Sequence, residues 1–168
     1  MEKTIIVIGS SVREHVICNK LKTHKLILIS NFLNNKIGKL SFKYIITKLD
    51  NTRILDYVKL LKQHYTIEFV IINQEKFIFN GLVDELKELN VDSIAPLKKY
   101  GKIEWSKSFA RNLVNENGLA SLNPAYKLFN TYTETEIINF ITTLNNNYVI
   151  KDNSLKAGKG VKVYGVHL

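Results

Sequence analysis

The chain has 168 residues and a formal net charge of +9, from 24 Lys and Arg against 15 Asp and Glu. With 45% of its residues hydrophobic and 10% aromatic, it carries too much apolar material for a disordered segment and enough length for a packed core. Its longest apolar runs, such as Ile5–Ile8 and Phe69–Ile72, are too short to span a bilayer, and no charged-then-apolar leader opens it. We therefore expect a cytoplasmic protein without membrane contact. Cys18 is the single cysteine, which excludes an intrachain disulfide and a cysteine zinc site.

The predicted elements alternate between short β-branched runs and amphipathic segments. Thr4–Ile8 reads as a buried strand, and a helix follows from Val12 to about Leu21 with Val16, Ile17, Cys18 and Leu21 on its apolar side. Lys25–Ser30 and Tyr44–Lys48 read as the next strands. Asn51 or Thr52 caps a helix to about His64, striped by Ile54, Leu55, Val58 and Leu61. Ile67–Ile72 (strand), Leu82–Leu89 (helix) and Val91–Ala95 (strand) complete a pattern that predicts a doubly wound α/β parallel sheet. Beyond Pro96 the texture changes. Trp105–Asn117 reads as one helix closed by Gly118, followed by a strand at Tyr126–Phe129, a helix at Glu134–Leu144, and a β-hairpin formed by Tyr148–Lys151 and Val161–Val166. The expectation is a small α+β segment after the main sheet.

Most of the basic charge is lysine, only Arg13, Arg53 and Arg111 being arginine. Arginine is the residue of choice where phosphates or bases are read with defined geometry, and the abundance of Ile, Lys and Asn fits an A/T-rich genome. One local feature survives that discount. No acidic residue occurs between Glu14 and Asp50, while Lys20, Lys22, Lys25, Lys36, Lys39, Lys43 and Lys48 all do. That face is either a solvated lysine surface or a module for nucleic acid or a protein partner.

Two segments carry site chemistry. Gly9-Ser10-Ser11-Val12-Arg13-Glu14-His15 joins a buried strand to a helix, the place where an open parallel sheet presents free amides to an anion. A phosphate held here, with Arg13 in contact, is one interpretation. A capping box between Ser11 and Glu14 is the other, and the dinucleotide fingerprint is absent because Gly9 stands alone. The second segment, Leu155-Lys156-Ala157-Gly158-Lys159-Gly160-Val161, lets backbone approach phosphate oxygens while Lys159 neutralises charge; a hairpin tip with solubilising lysines explains it as well. Glu75 lies on the rim just past the Ile67–Ile72 strand. His15, His24, His64 and His167 are scattered without metal-ligand spacing, Cys18 sits on an apolar helix side, and no catalytic residue is assigned.

Taken in order, these pieces resemble the phosphoribosylamine–glycine ligase (glycinamide ribonucleotide synthetase) family. Val7 to His15 resembles V-I-G-x-G-G-R-E-H-A; Ile71-Ile72-Asn73-Gln74-Glu75 with Gly81-Leu82-Val83-Asp84 resembles V-V-G-P-E…G-V-V-D. Glu104 to Ala110 resembles E-G-S-K-A-F-A, and Val149-Ile150-Lys151 with Leu155 to Gly160 resembles V-V-K-A-D-G-L-A-A-G-K-G-V. The resemblance implies a Rossmann-like pre-ATP-grasp domain over residues 1–103, a linking helix over 104–118 and an incomplete ATP-grasp subdomain over 119–168. It implies an ATP-dependent ligation of phosphoribosylamine to glycine in purine biosynthesis, with ATP and magnesium as cofactors. Lys107, Lys151, Gly158, Lys159 and Gly160 match the ATP side; Gly9, Ser10, Ser11, Arg13, Glu14, His15 and Glu75 match the phosphoribosyl side.

The departures carry as much information. The chain spans less than half the family's length, without the acidic magnesium ligands on which phosphoryl transfer depends. Ser11 and Val12 replace paired glycines, Asn73-Gln74 replaces Gly-Pro before Glu75, Asn153-Ser154 replaces Asp-Gly, and a G-N-A-G loop survives faintly in Asn34-Asn35-Lys36-Ile37-Gly38. The expectation is a truncated ligase-like protein, inactive alone, that keeps weak nucleotide or phosphoribosyl binding. Alternatives are one half of a split ligase completed by a separate ATP-grasp chain, a homodimer through the open Val161–Val166 edge, or the non-enzymatic basic-face module.

Overall fold

A computed structural model describes residues 3–145, 147–154, 156 and 158–167. The chain forms two compact units, Met1–Gly101 and Lys102–Leu168. In the first, strands β1 (Lys3–Ile8), β2 (Leu26–Ser30), β3 (Lys43–Ile46), β4 (Thr66–Ile72) and β5 (Ser93–Ile94) form one parallel sheet in the order β3-β2-β1-β4-β5. The central strands are apolar throughout because both faces are covered. Ile6, Ile8, Ile27 and Ile29 face the cluster made with helices α3 (Asn51–Lys62) and α5 (Leu82–Glu88), while Ile5, Val7, Leu26 and Leu28 face the one made with α1 (Val12–Lys20) and α2 (Asn35–Gly38). The doubly wound architecture expected from the alternating pattern is present. Each fully buried Ile or Leu of β1 and β2 contributes roughly 1.5–3 kcal/mol of burial.

Several boundaries differ from expectation for identifiable reasons. In α1 the apolar side is Ile17, Cys18 and Leu21, whereas Val16 points outward at 62% exposure. The cap of α3 is Asp50, whose carboxylate accepts from the Arg53 amide at 3.0 Å; that bond holds the Asp50 carboxyl below its ordinary range. Two short helices, α2 and α4 (Glu75–Phe79), were not expected, being too brief to show a period. β5 pairs over only two residues.

Pro96 is followed by α6 (Lys98–Trp105), which the sequence did not announce and which crosses the boundary between the units. The single helix expected over Trp105–Asn117 is broken at Ser106, whose hydroxyl caps α7 (Lys107–Glu116) by accepting from the Phe109 amide at 3.3 Å. Tyr126–Phe129 is irregular rather than a strand. The Tyr126 hydroxyl donates to Asn112 on α7 at 2.7 Å and accepts from Asn115 at 3.2 Å, so the segment is bound through a side chain. After α8 (Glu134–Thr143), β6 (Val149–Lys151) and β7 (Val161–Val163) pair antiparallel, with Lys151 opposite Val161. The chain turns after Val163 instead of continuing the strand to Val166. No described residue of the second unit beyond Gly101 is buried, and among the described residues no helix is long and apolar enough to cross a membrane.

Candidate functional site

The chain leaves β1 for α1 and β2, then crosses to the other side of β1 to form β4. The strand order therefore reverses between β1 and β4, and the crevice outside their carboxyl ends is where open α/β sheets bind ligands. The first of the two sequence segments and the Glu75 rim both lie there. Gly9-Ser10-Ser11 ends β1, and Asn73-Gln74-Glu75 ends β4, with Ile8 directly opposite Ile72 in the ladder.

Glu14 is the hub of this rim. Its side chain is buried at 1% exposure and accepts from the Ser11 amide at 2.6 Å and from Asn73 Nδ2 at 3.3 Å. The capping box expected between Ser11 and Glu14 is formed, and its carboxylate also ties the first turn to the second. Arg13 makes the outer tie, donating to the Asn73 carbonyl at 3.2 Å and to Glu75 Oε1 at 3.4 Å. Gly9 adopts φ +111°, and a Cβ there would stand 2.8 Å from Gln74 Nε2 and 3.0 Å from Glu14 Cδ. No side chain fits between the two turns. Ser10 is buried and accepts from the Ser30 hydroxyl at 2.6 Å, and its carbonyl accepts from Asn34 Nδ2 at 3.0 Å. His15 is half-buried; its amide donates to the Ser11 carbonyl at 3.0 Å, and its imidazole makes no hydrogen bond among the described residues.

Four residues of this rim were not singled out as site residues from sequence: Ser30, Asn34, Asn73 and Gln74. Asn34 also caps α2, accepting from the Lys36 and Ile37 amides, so its signal was an ordinary helix cap. Asn73 and Gln74 registered only as departures from a family pattern, yet they contact Arg13, Glu14 and the Gly9 turn. Cys18, further along α1, is fully buried, and burial together with the Glu14 charge pushes its thiol up to about 11. It is a core residue and no nucleophile at neutral pH.

The second constellation lies within the second unit. Lys107, in the first turn of α7, donates to the Ser154 carbonyl at 3.0 Å. Asn153 clasps the same helix start, accepting from the Ser108 amide at 2.9 Å and donating to the Ser108 hydroxyl at 2.7 Å. The loop between β6 and β7 closes where the Asp152 amide donates to the Gly160 carbonyl at 2.7 Å. A Cβ on Gly160 would stand 2.9 Å from Asp152 Cβ, so glycine is required by close approach there, whereas Gly158 is required by its φ of +79°. The Ser154 hydroxyl and Lys156 hold the Asp152 carboxyl below its ordinary range. Lys151 and Lys159 are exposed. Leu155 and Ala157 of the glycine-lysine motif lie outside the described residues. Lys107 and the loop are thus brought together, while the loop's first amides and carbonyls are spent on the protein itself. Among the described residues no cluster of His, Cys, Asp and Glu could hold a metal ion.

Comparison with known proteins agrees with this geometry. Residues 3–104 match the family model "Phosphoribosylglycinamide synthetase, N domain". A phosphoribosylamine–glycine ligase of Methanocorpusculum labreanum is 32% identical over 165 residues, covering 96% of this chain and 37% of that protein. Among solved structures, a phosphoribosylamine–glycine ligase from Thermotoga maritima aligns with a TM-score of 0.68 at 20% identity, over 96% of this chain and 36% of that one. An N5-carboxyaminoimidazole synthetase from Staphylococcus aureus complexed with ADP aligns with a TM-score of 0.66 at 14% identity, over 93% and 40%. The chain therefore spans little more than a third of the length of these relatives. The switch-point rim with its Arg-Glu-His turn falls inside the matched region, and the chain belongs to the phosphoribosylglycinamide synthetase N-domain family.

Proposed function

We propose that this chain is the phosphoribosyl-holding part of a phosphoribosylamine–glycine ligase and does not ligate by itself. The observation that carries the reading is the convergence of Gly9, Ser10, Ser11, Arg13, Glu14, His15 and Glu75 on the crevice between β1 and β4. Arg13 supplies a cation for a phosphate, and Glu75 a carboxylate for sugar hydroxyls or an amine. In functional terms the chain divides at 1–103 for this site, 104–118 for the linking helix and 119–168 for the opening of an ATP-grasp fold.

The nucleotide side is supported more thinly. Lys107, Lys151 and Lys159 suit the phosphates of ATP, with Gly158 and Gly160 giving their loop its shape. ATP would supply the phosphoryl group that activates a carboxylate. The carboxylates needed to hold magnesium have no counterpart among the described residues. Completion of the site by polypeptide beyond these 168 residues, in the same chain or another, is favoured by the second unit, where Ile138, Val149, Ile150 and Val166 all lie open to solvent.

Titration calorimetry with ribose 5-phosphate and with ATP–magnesium tests the reading. Saturable binding of ribose 5-phosphate, lost in Arg13→Ala, is expected, with no ligation until the remaining ATP-grasp portion is supplied. Absence of phosphoribosyl binding both alone and in the completed assembly overturns it.

A further inference from the structure

We propose a second binding surface, for single-stranded nucleic acid, at the opposite end of the sheet. Helices of a parallel α/β fold return antiparallel to the strands, so the helix-to-strand connections gather at the strands' amino ends. Three features meet at that end. Lys20 ends α1 and Lys22 and Lys25 follow it before β2, Phe42 precedes Lys43 at the start of β3, and Tyr65 precedes β4.

The aromatic groups are packed together. The Phe42 and Tyr65 rings meet edge to face at 6.1 Å, and the His64 ring lies 6.4 Å from Tyr65. Lys25 Nζ stands 3.7 Å from the Phe42 centroid and 5.3 Å from that of Tyr65. Phe42 nonetheless keeps 56% of its surface exposed. An exposed ring backed by a cation, on a rim of further lysines, combines the two parts of a single-strand platform: a flat surface on which a base stacks and charges that track the backbone. Lys20, Lys22 and Lys43 make no ion pair among the described residues, and Glu68, at this end of β4, is taken by Lys3 at 3.4 Å. The stretch from residue 15 to 49 contains no acid that would oppose a polyanion. Duplex DNA offers charge without accessible base faces, so a stacking platform discriminates against it.

The test is fluorescence anisotropy of the full chain with a labelled oligothymidylate, over a salt series, beside a duplex and inorganic polyphosphate. Saturable binding is expected, stronger for the single strand than for either control. Phe42→Ala weakens it by about tenfold, and Phe42→Trp preserves it, given what one stacked base contributes. Lys22→Glu with Lys43→Glu lowers the salt slope by on the order of one unit. Lys76→Glu with Lys99→Glu makes the same charge change beyond the carboxyl ends of β4 and β5 and leaves the slope in place. Ribose 5-phosphate does not compete, since its proposed crevice is at the other end of the strands. No saturable binding, equal affinity for duplex or polyphosphate with an inert Phe42→Ala, or equal loss in the two lysine pairs overturns the proposal.

Discussion

At the scale of single residues, the rim of the β1–β4 crevice shows how a few atoms dictate a turn. Gly9 is fixed twice, by φ +111° and by side chains within 2.8–3.2 Å of where its Cβ would be. The two constraints separate experimentally, because Gln74 is a flexible side chain whereas Glu14 is buried and doubly bonded. Gly9→Ala is expected to destabilise the fold by about 2–3 kcal/mol, from backbone strain plus crowding. Removing the Gln74 side chain as well recovers only part of that. Urea denaturation of the two variants measures the difference, and full recovery in the double variant places the whole cost in the clash. The residues around Gly9 also explain why the site was only half legible. Arg13, Glu14 and Glu75 stood out by their place at strand ends and by the family resemblance, with a helix cap as the other interpretation of Glu14. Asn73 and Gln74 stand as departures in the sequence because only the fold brings the Asn73 amide and carbonyl to Glu14 and Arg13, and the Gln74 side chain to the Gly9 turn.

At the scale of elements, legibility followed burial. β1 and β2 are covered on both faces, and a continuous β-branched run between turns has few alternatives. The helices striped by Ile54, Val58 and Leu61, and by Leu82, Val83 and Leu86, announced themselves in the same way. Past Gly101 no described residue is buried, so hydrophobic periodicity no longer marks what faces a core. There α6 goes unannounced, the pattern begins the next helix at Trp105 instead of Lys107, and Tyr126–Phe129 reads as a strand though it is irregular. The break between α6 and α7 rests instead on one hydroxyl. Ser106→Ala is expected to cost about 1 kcal/mol, the usual worth of a serine cap, and to fray α7 at Lys107 and Ser108. Fraying there loosens the Asn153 and Lys107 bonds to the β6–β7 loop. Circular dichroism melting together with amide exchange at Phe109 reads both effects. An unchanged melt with unchanged exchange at Phe109 assigns the break to another cause.

At the scale of the whole molecule, the chain is a finished sheet followed by an unfinished one. Among the described residues every buried apolar side chain belongs to the first unit, where two clusters sandwich β1, β2 and β4. The second unit has a two-stranded ribbon whose Val149 and Ile150 are 46% and 51% exposed, and two-stranded ribbons are marginal in water without a covering layer. Beside the ring contacts of Phe129 with Tyr132 and Phe140 and of Tyr148 with Tyr164, it is held by polar ties, namely Asn123 and Tyr126 to α7, and Asn153 and Lys107 around the loop. Such ties contribute about 0.5–1.5 kcal/mol each, against the strong burial of the central strands. Hydrogen exchange followed by mass spectrometry should therefore divide the chain sharply. Amides of β1, β2 and β4 are expected to exchange only through global opening, at least about a thousandfold more slowly than those of β6, β7 and α8, which open locally. Supplying the remaining ATP-grasp portion should slow exchange in β6 and β7 while leaving β1 and β2 where they were. Equal protection across both units in the isolated chain contradicts this account. It would mean that the exposed ribbon is covered in solution, and a second copy of the chain is then the first occupant to look for, by sedimentation.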